Sequence, residues 1–141
     1  MSGRILSRFE DKGLRLVASK HVARVARATL DQHYAHLLEA PFYETEVVPY
    51  MCSGRVHLMA FQGANAVAAG STLLGATDPL AAQLGTVRGD FGLCIGQNVC
   101  HGSRSTAGAE REIALWFDKA ELVPWTPPEV LVMPRPPKTL W

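Results

Sequence analysis

Two short stretches carry the residue types that could do chemistry. Gly85-Thr86-Val87-Arg88-Gly89-Asp90-Phe91 sets an arginine between two glycines, the pattern of a bent cationic loop. Asn98-Val99-Cys100-His101-Gly102-Ser103 gathers an amide, an imidazole and a hydroxyl just before a helical pattern that starts near Ser105. An imidazole with one unprotonated nitrogen is a nucleophile, and an unperturbed histidine pKa of about 6.5 allows that state near neutrality. A phosphoryl centre asks the protein for cations and positioned donors. Arg88 is the obvious cation, and Asn98 and Thr77 can donate to phosphate or ribose. The other nitrogen of His101 needs an acceptor that fixes its tautomer. Glu112 is the first candidate and Glu110 the second. Together these residues point to phosphoryl transfer through His101. The bland alternatives are a structural histidine at a strand end and a surface salt bridge for Arg88.

Other chemistries find less support. There is no G-x-x-x-x-G-K-[S/T] loop and no kinase-type glycine loop. Cys100-His101 has no second close pair of the kind a zinc site uses. Cys52, Cys94 and Cys100 are an odd count without C-x-x-C spacing, which reads as a reducing, cytoplasmic setting. A net charge of +1 gives no overall field for nucleic acid or membrane. No apolar run approaches the ~20 residues of a membrane span. At 141 residues and 48% hydrophobic, the chain reads as one compact domain with a real core.

The elements that must position these residues follow from periodicity. Ile5, Leu6 and Phe9 share a helical face, with Gly13 as the stop. Leu14, Leu16 and Ala18 alternate as a strand does. Residues 21–28 fit either helix or strand end. Thr29-Leu30-Asp31-Gln32 has the form of a capping box, followed by Leu30, Tyr34 and Leu37 at helical spacing. Pro41-Phe42 opens a helix expected to run to Cys52, kinked or shortened by Pro49. Val56–Phe61 reads as a strand buried on both faces. Val67, Ser71 and Leu74 mark a short helix ended by Gly75. Thr77–Asp90 reads as a long loop, of the kind that carries function. Phe91, Leu93 and Ile95 read as a short strand. Ser105 begins a helix with Ala109, Ile113, Trp116 and Phe117 on its apolar side. Pro124–Trp141 holds six of the nine prolines, so residues 1–123 are expected to form the domain and 124–141 an extended tail. The class is α+β.

These residues carry a resemblance. Gly85–Phe91, Asn98–Ser103 and Ala109–Phe117 together resemble the nucleoside diphosphate kinase family, in which an R-N-x-x-H-G-S-D-S run carries the phosphorylated histidine. The similarity extends from Arg8-Phe9-Glu10-Asp11-Lys12-Gly13 through Glu121-Leu122-Val123. It implies a ferredoxin-like antiparallel α/β sandwich. It implies ping-pong transfer of the γ-phosphate of ATP to a nucleoside diphosphate through a phosphohistidine at His101, with Mg2+ held mainly by the nucleotide phosphates. By matching position, Phe42 resembles the residue that stacks on the base, with Ile95 near it. Thr77 and Arg88 resemble phosphate ligands, and Asn98 the ribose contact. Glu112 resembles the carboxylate that orients the histidine. Ser103 is placed near the phosphohistidine, and Tyr34 resembles the tyrosine of the pocket floor. The bland reading of Phe42, Ile95 and Tyr34 is core packing. Family members assemble as hexamers or tetramers built from dimers, and the loop around Gly85 supports trimer contacts.

The chain departs from the family pattern in four places. The family opens with a core strand ending in Lys-Pro-Asp-Gly-Val, which this chain does not show. Ser71 stands where a phosphate-binding arginine is usual, Arg104 where an aspartate follows His-Gly-Ser, and Leu84 where a proline precedes Gly-Thr. Hydrogen bonds from charged groups contribute roughly 1.5–3 kcal/mol each, so two lost cations cost roughly 3–6 kcal/mol. That is roughly two to four decades in rate or affinity. The second reading is therefore a diverged or truncated member that binds nucleotide, or assembles, with little or no catalysis.

Overall fold

The computed structural model describes residues 1–126. Of the expected tail, only Pro124–Thr126 falls within them. Helix α1 spans Ser2–Asp11 and buries Ile5 and Phe9, the face read from their spacing. Gly13 follows at φ 92°, and strand β1 runs from Arg15 to Val22. Helix α2 covers Arg27–His33, a short 3-10 turn covers Ala35–Leu37, and a π-turn over Tyr43–Val47 leads into α3, Val48–Cys52. Strand β2 is Val56–Gln62 and helix α4 is Ala66–Leu74. Helix α5 is Val87–Phe91, α6 is Thr106–Trp116, and a last 3-10 turn covers Lys119–Glu121.

β1 and β2 pair antiparallel, from Arg15 opposite Gln62 to Val22 opposite Val56, with an irregularity between Leu16 and Ala18. Alternation in the strands sends side chains to opposite faces. On one face Met59 and Phe61 join Ile5, Phe9, Leu14, Leu74 and Val87. Phe9 stacks on Phe61 with ring centroids 4.5 Å apart. On the other face Leu58 and Ala60 join Ala18, Ile113, Trp116 and Phe117. The hairpin thus divides two apolar clusters, one under α1 and α4 and one under α6.

Three expectations are corrected. Thr29 does not cap a helix: α2 starts earlier, with Ala26 in extended backbone as its flank and no side-chain cap bond. Burial of Leu30 sets the phase, and Arg27 is held outward between Asp31 and Glu44. The expected shortening at Pro49 is seen: the regular helix of the 41–52 stretch starts only at Val48. Pro49 falls in the first turn of α3, after the π-turn, where its missing N–H costs least. Phe91–Ile95 is not a strand. Phe91 ends α5, Leu93 and Ile95 are exposed, and only a single bridge joins Cys94 to Gln97. The long loop therefore contains a helix, capped by the Thr86 hydroxyl, which accepts from the Gly89 amide at 3.1 Å. Finally, β2 is half-buried rather than buried on both faces; Ala60 alone in it is fully buried.

Candidate functional site

His101 lies in the loop that precedes α6. Ser105 caps that helix as expected, its hydroxyl accepting from the Gly108 amide at 3.0 Å. The cap starts α6 at Thr106, which brings Glu112 round to face the loop. Glu112 Oε2 lies 3.0 Å from His101 Nε2 and accepts from the Ser103 hydroxyl at 2.7 Å. Burial alone would push the Glu112 carboxyl up, but the hydrogen bonds from Ser103 and His101 outweigh it and hold it below its usual range. An ionised carboxylate at Nε2 keeps the proton there and leaves Nδ1 with the free lone pair.

The loop backbone is tightly determined. Cys100 N donates to Asn98 O at 2.9 Å around Val99, which sits at φ 75°. This is a γ-turn in its strained form, on a β-branched residue, at a cost of order 1–3 kcal/mol. At Gly102 an added Cβ would lie 2.3 Å from Leu74 Cδ1, so only glycine lets the loop approach α4. Burial raises the Cys100 thiol above its ordinary value, so the cysteine beside His101 stays protonated.

Arg88 is not an exposed loop cation. It is buried, and its guanidinium donates to Gly75 O at 2.8 Å and Cys100 O at 2.9 Å. Its Nε has no hydrogen-bond partner among the described residues. Asn98 Nδ2 donates to Thr77 O at 3.1 Å. These two side chains tie segment 75–77 to segment 98–100. Phe42 and Ile95 are both exposed. Their segments also meet: at Gly96 an added Cβ would fall 2.8 Å from Glu46 Oε2 of the π-turn. Tyr34 stands edge-on to His101, with ring centroids 5.5 Å apart, and burial raises its phenol to about 12.

One member of the site has no signal in the sequence. His33, buried at the end of α2, sits edge-to-face with His101 at 4.4 Å between centroids. Its Nδ1 accepts from the Trp116 indole N–H at 3.0 Å, so its Nε2 carries the proton. Donor atoms of His33, His101 and Glu112 lie within 4.8 Å of one another. Trp116 occupies the His33 lone pair, and His33 meets His101 through ring contact, while the Glu112 carboxylate bonds His101 directly. Burial, then the neighbouring His101, lowers the His33 pKa to about 4. Folded His33 therefore stays neutral where unfolded histidine, near 6.5, begins to charge. Its contribution is complete above about pH 6.5 and is lost as pH falls toward 4, an effect on the order of 3 kcal/mol. Glu112 works in the same direction, because its lowered carboxyl also loses stabilisation on acidification. Urea unfolding between pH 7 and 4 is expected to show this fall, with a shallower slope in His33→Gln.

Comparison with known proteins gives a consistent result. The family model for nucleoside diphosphate kinase matches residues 1–122. A nucleoside diphosphate kinase of Aspergillus fumigatus is 50% identical over 123 residues, covering 87% of this chain and 79% of that protein. One from Saccharomyces cerevisiae is 51% identical over 121 residues, covering 86% and 78%. The solved nucleoside diphosphate kinase of Encephalitozoon cuniculi superposes with a TM-score of 0.82 at 45% identity, covering 88% of this chain and 82% of its own. That of Halobacterium salinarum in complex with CDP gives 0.83 at 41% identity, covering 89% and 82%. The α+β architecture is thus the ferredoxin-like one, with antiparallel strands and helices packed on them.

Proposed function

The chain belongs to the nucleoside diphosphate kinase family, a phosphotransferase family acting on nucleotides, and on that premise we propose that His101 carries the phosphoryl group between them. The observation that supports this most is the Glu112–His101 pair. The carboxylate holds the Nε2 proton, so Nδ1 attacks the γ-phosphorus of a nucleoside triphosphate such as ATP. The Nδ1–P bond forms, the bond to the bridging oxygen breaks, and the diphosphate leaves with the electron pair. The imidazole becomes cationic, and the Glu112 carboxylate balances it. In the second half an oxygen of the acceptor diphosphate attacks phosphorus, and the N–P electrons return to Nδ1.

The other roles follow from position. Ser103 holds the Glu112 oxygen that His101 uses. Arg88 fixes the Gly75 and Cys100 carbonyls and sets its charge beneath the loop, next to the phosphate site. Thr77 and Asn98 take phosphate and ribose, Phe42 and Ile95 flank the base, and Tyr34 forms the floor. Mg2+ enters as part of the nucleotide substrate. The protein's near donors are nitrogen-rich, and Glu112 Oε2 is already bonded twice. A hard cation finds its oxygen ligands on the phosphates.

A homo-oligomer, either a hexamer or a tetramer of dimers, would cover Leu80, Leu84 and Leu93, each at least 85% exposed in the single chain. Three free cysteines fit a cytoplasmic setting. No described helix is long and apolar enough to cross a membrane. The second reading, a non-catalytic member, is not favoured by about half-identical relatives that are themselves named as kinases. Initial-rate kinetics with ATP and CDP are expected to give parallel double-reciprocal lines. Intersecting lines would indicate a ternary complex and exclude a phosphorylated intermediate; no turnover by the folded protein would revive the non-catalytic reading.

A further inference from the structure

Glu46 stands where the segments of Phe42 and Ile95 meet. It lies in the π-turn Tyr43–Val47, which is closed by the bond from Val48 N to Tyr43 O. A π-turn is rare and often marks a functional site. Residues four apart are neighbours on a helix surface, so Glu46 shares a side of the turn with Phe42. Its carboxylate reaches across to the opposite segment. Oε2 lies 2.8 Å from the point where a Cβ on Gly96 would stand, and Gly96 directly follows Ile95. Glycine at 96 is therefore what admits the carboxylate.

The surroundings leave this carboxylate available. Glu46 is exposed, and among the described residues it enters no ion pair and no side-chain hydrogen bond. Its neighbour Glu44 instead holds Arg27, which Asp31 holds as well. Phe42 and Ile95 are 44% and 59% exposed. Two exposed apolar residues on segments that meet suit the faces of a flat ring. Only the edge of that ring is then left for a polar group.

An ionised carboxylate only accepts hydrogen bonds, and it accepts through two oxygens. The bases differ in what their edges offer it. Guanine presents two adjacent donors, N1–H and the N2 amine. Adenine and cytosine each present one amine beside an unprotonated ring nitrogen, whose lone pair a carboxylate repels. Uracil and thymine each present one N–H between two carbonyls. Guanine alone matches both oxygens, in the two-pronged manner by which side chains read base edges.

We propose that Glu46 reads the edge of the nucleobase and favours guanine nucleotides over those of the other bases. The proposal deepens the reading in which Phe42 and Ile95 flank the base, and rests on it. Both half-reactions use the same base site, so the preference applies to donor and acceptor alike.

Equilibrium titration of the full, unphosphorylated chain with GDP, IDP and ADP tests it without turnover. IDP keeps N1–H and lacks the N2 amine. GDP is expected to bind at least about tenfold more tightly than ADP, with IDP between them. In Glu46→Leu the three are expected to fall within about threefold of one another. In Glu46→Gln, whose amide donates as well as accepts, ADP gains on GDP. A thermal melt checks the fold of both variants, and the comparison of the three nucleotides on the unaltered chain stands without them. A smaller preference in the unaltered chain would overturn the proposal, as would a guanine preference that survives undiminished in Glu46→Leu. Phe42→Ala tests the base site itself and is expected to weaken all three nucleotides alike, by about tenfold. Unchanged binding in Phe42→Ala, or binding of none of the three by the unaltered chain, would overturn the base-site reading and the proposal with it.

Discussion

A His101→Asn chain is expected to lose nucleotide phosphoryl transfer by at least about 10^4-fold while remaining folded. Asparagine offers no nucleophilic nitrogen, and removal of a covalent nucleophile is among the most damaging changes an active site can suffer. The structural consequence is small by comparison. The His101 side chain is 32% exposed and among the described residues makes one hydrogen bond, to Glu112. Loss of that bond costs about 1 kcal/mol, or roughly 3 °C in Tm for a chain of this size. Turnover with ATP and CDP, measured beside a thermal melt, separates the two effects. Activity within tenfold of the unaltered chain would remove His101 from the chemistry.

Replacing Arg88 by Met is expected to act on the fold as well as the reaction. Met keeps the apolar stem but removes a buried guanidinium that binds two carbonyls from separate segments. Charged hydrogen bonds contribute roughly 1.5–3 kcal/mol each, so the loss is roughly 3–6 kcal/mol. Gly75 O and Cys100 O then lose their side-chain partner, and the loop holding His101 loses its anchor. The midpoint of urea unfolding should fall accordingly, and kcat with it. Lys at the same position can serve as a point donor but not as a fork, so it should recover less than the full loss. A Met variant destabilised by under 1 kcal/mol would mean that Arg88 holds nothing together.

Much of the site was legible because it rests on local rules. The Ser105 cap and the apolar positions of α6 fix where Glu112 comes round, and the motif around His101 names its partner. The Ile5–Phe9 face and the Gly13 stop are equally local. The misreadings arise where a tertiary contact decides. Thr29-x-x-Gln32 satisfies a capping pattern, but burial of Leu30 and the ion pairs of Arg27 start α2 earlier. Arg88 between two glycines reads as the cation of a bent loop. Burial of Val87 and the Thr86 cap instead make a helix that turns Arg88 inward. Two features had no sequence signature at all. Nothing in Val99 announces a positive φ, which this β-branched residue adopts only because the surrounding loop imposes it. His33 and Trp116 are 83 positions apart, and their hydrogen bond becomes visible only when α2 and α6 are packed together.

Phosphoryl transfer by this chain passes through a covalent bond between phosphorus and Nδ1 of His101. Incubating the purified chain with ATP radiolabelled on its γ-phosphate, then removing free nucleotide, tests it directly. The expected result is a label on the peptide containing His101 that is lost in acid, survives alkali and is discharged by added CDP. An acid-stable label, a label that CDP does not remove, or no label on folded protein would contradict it.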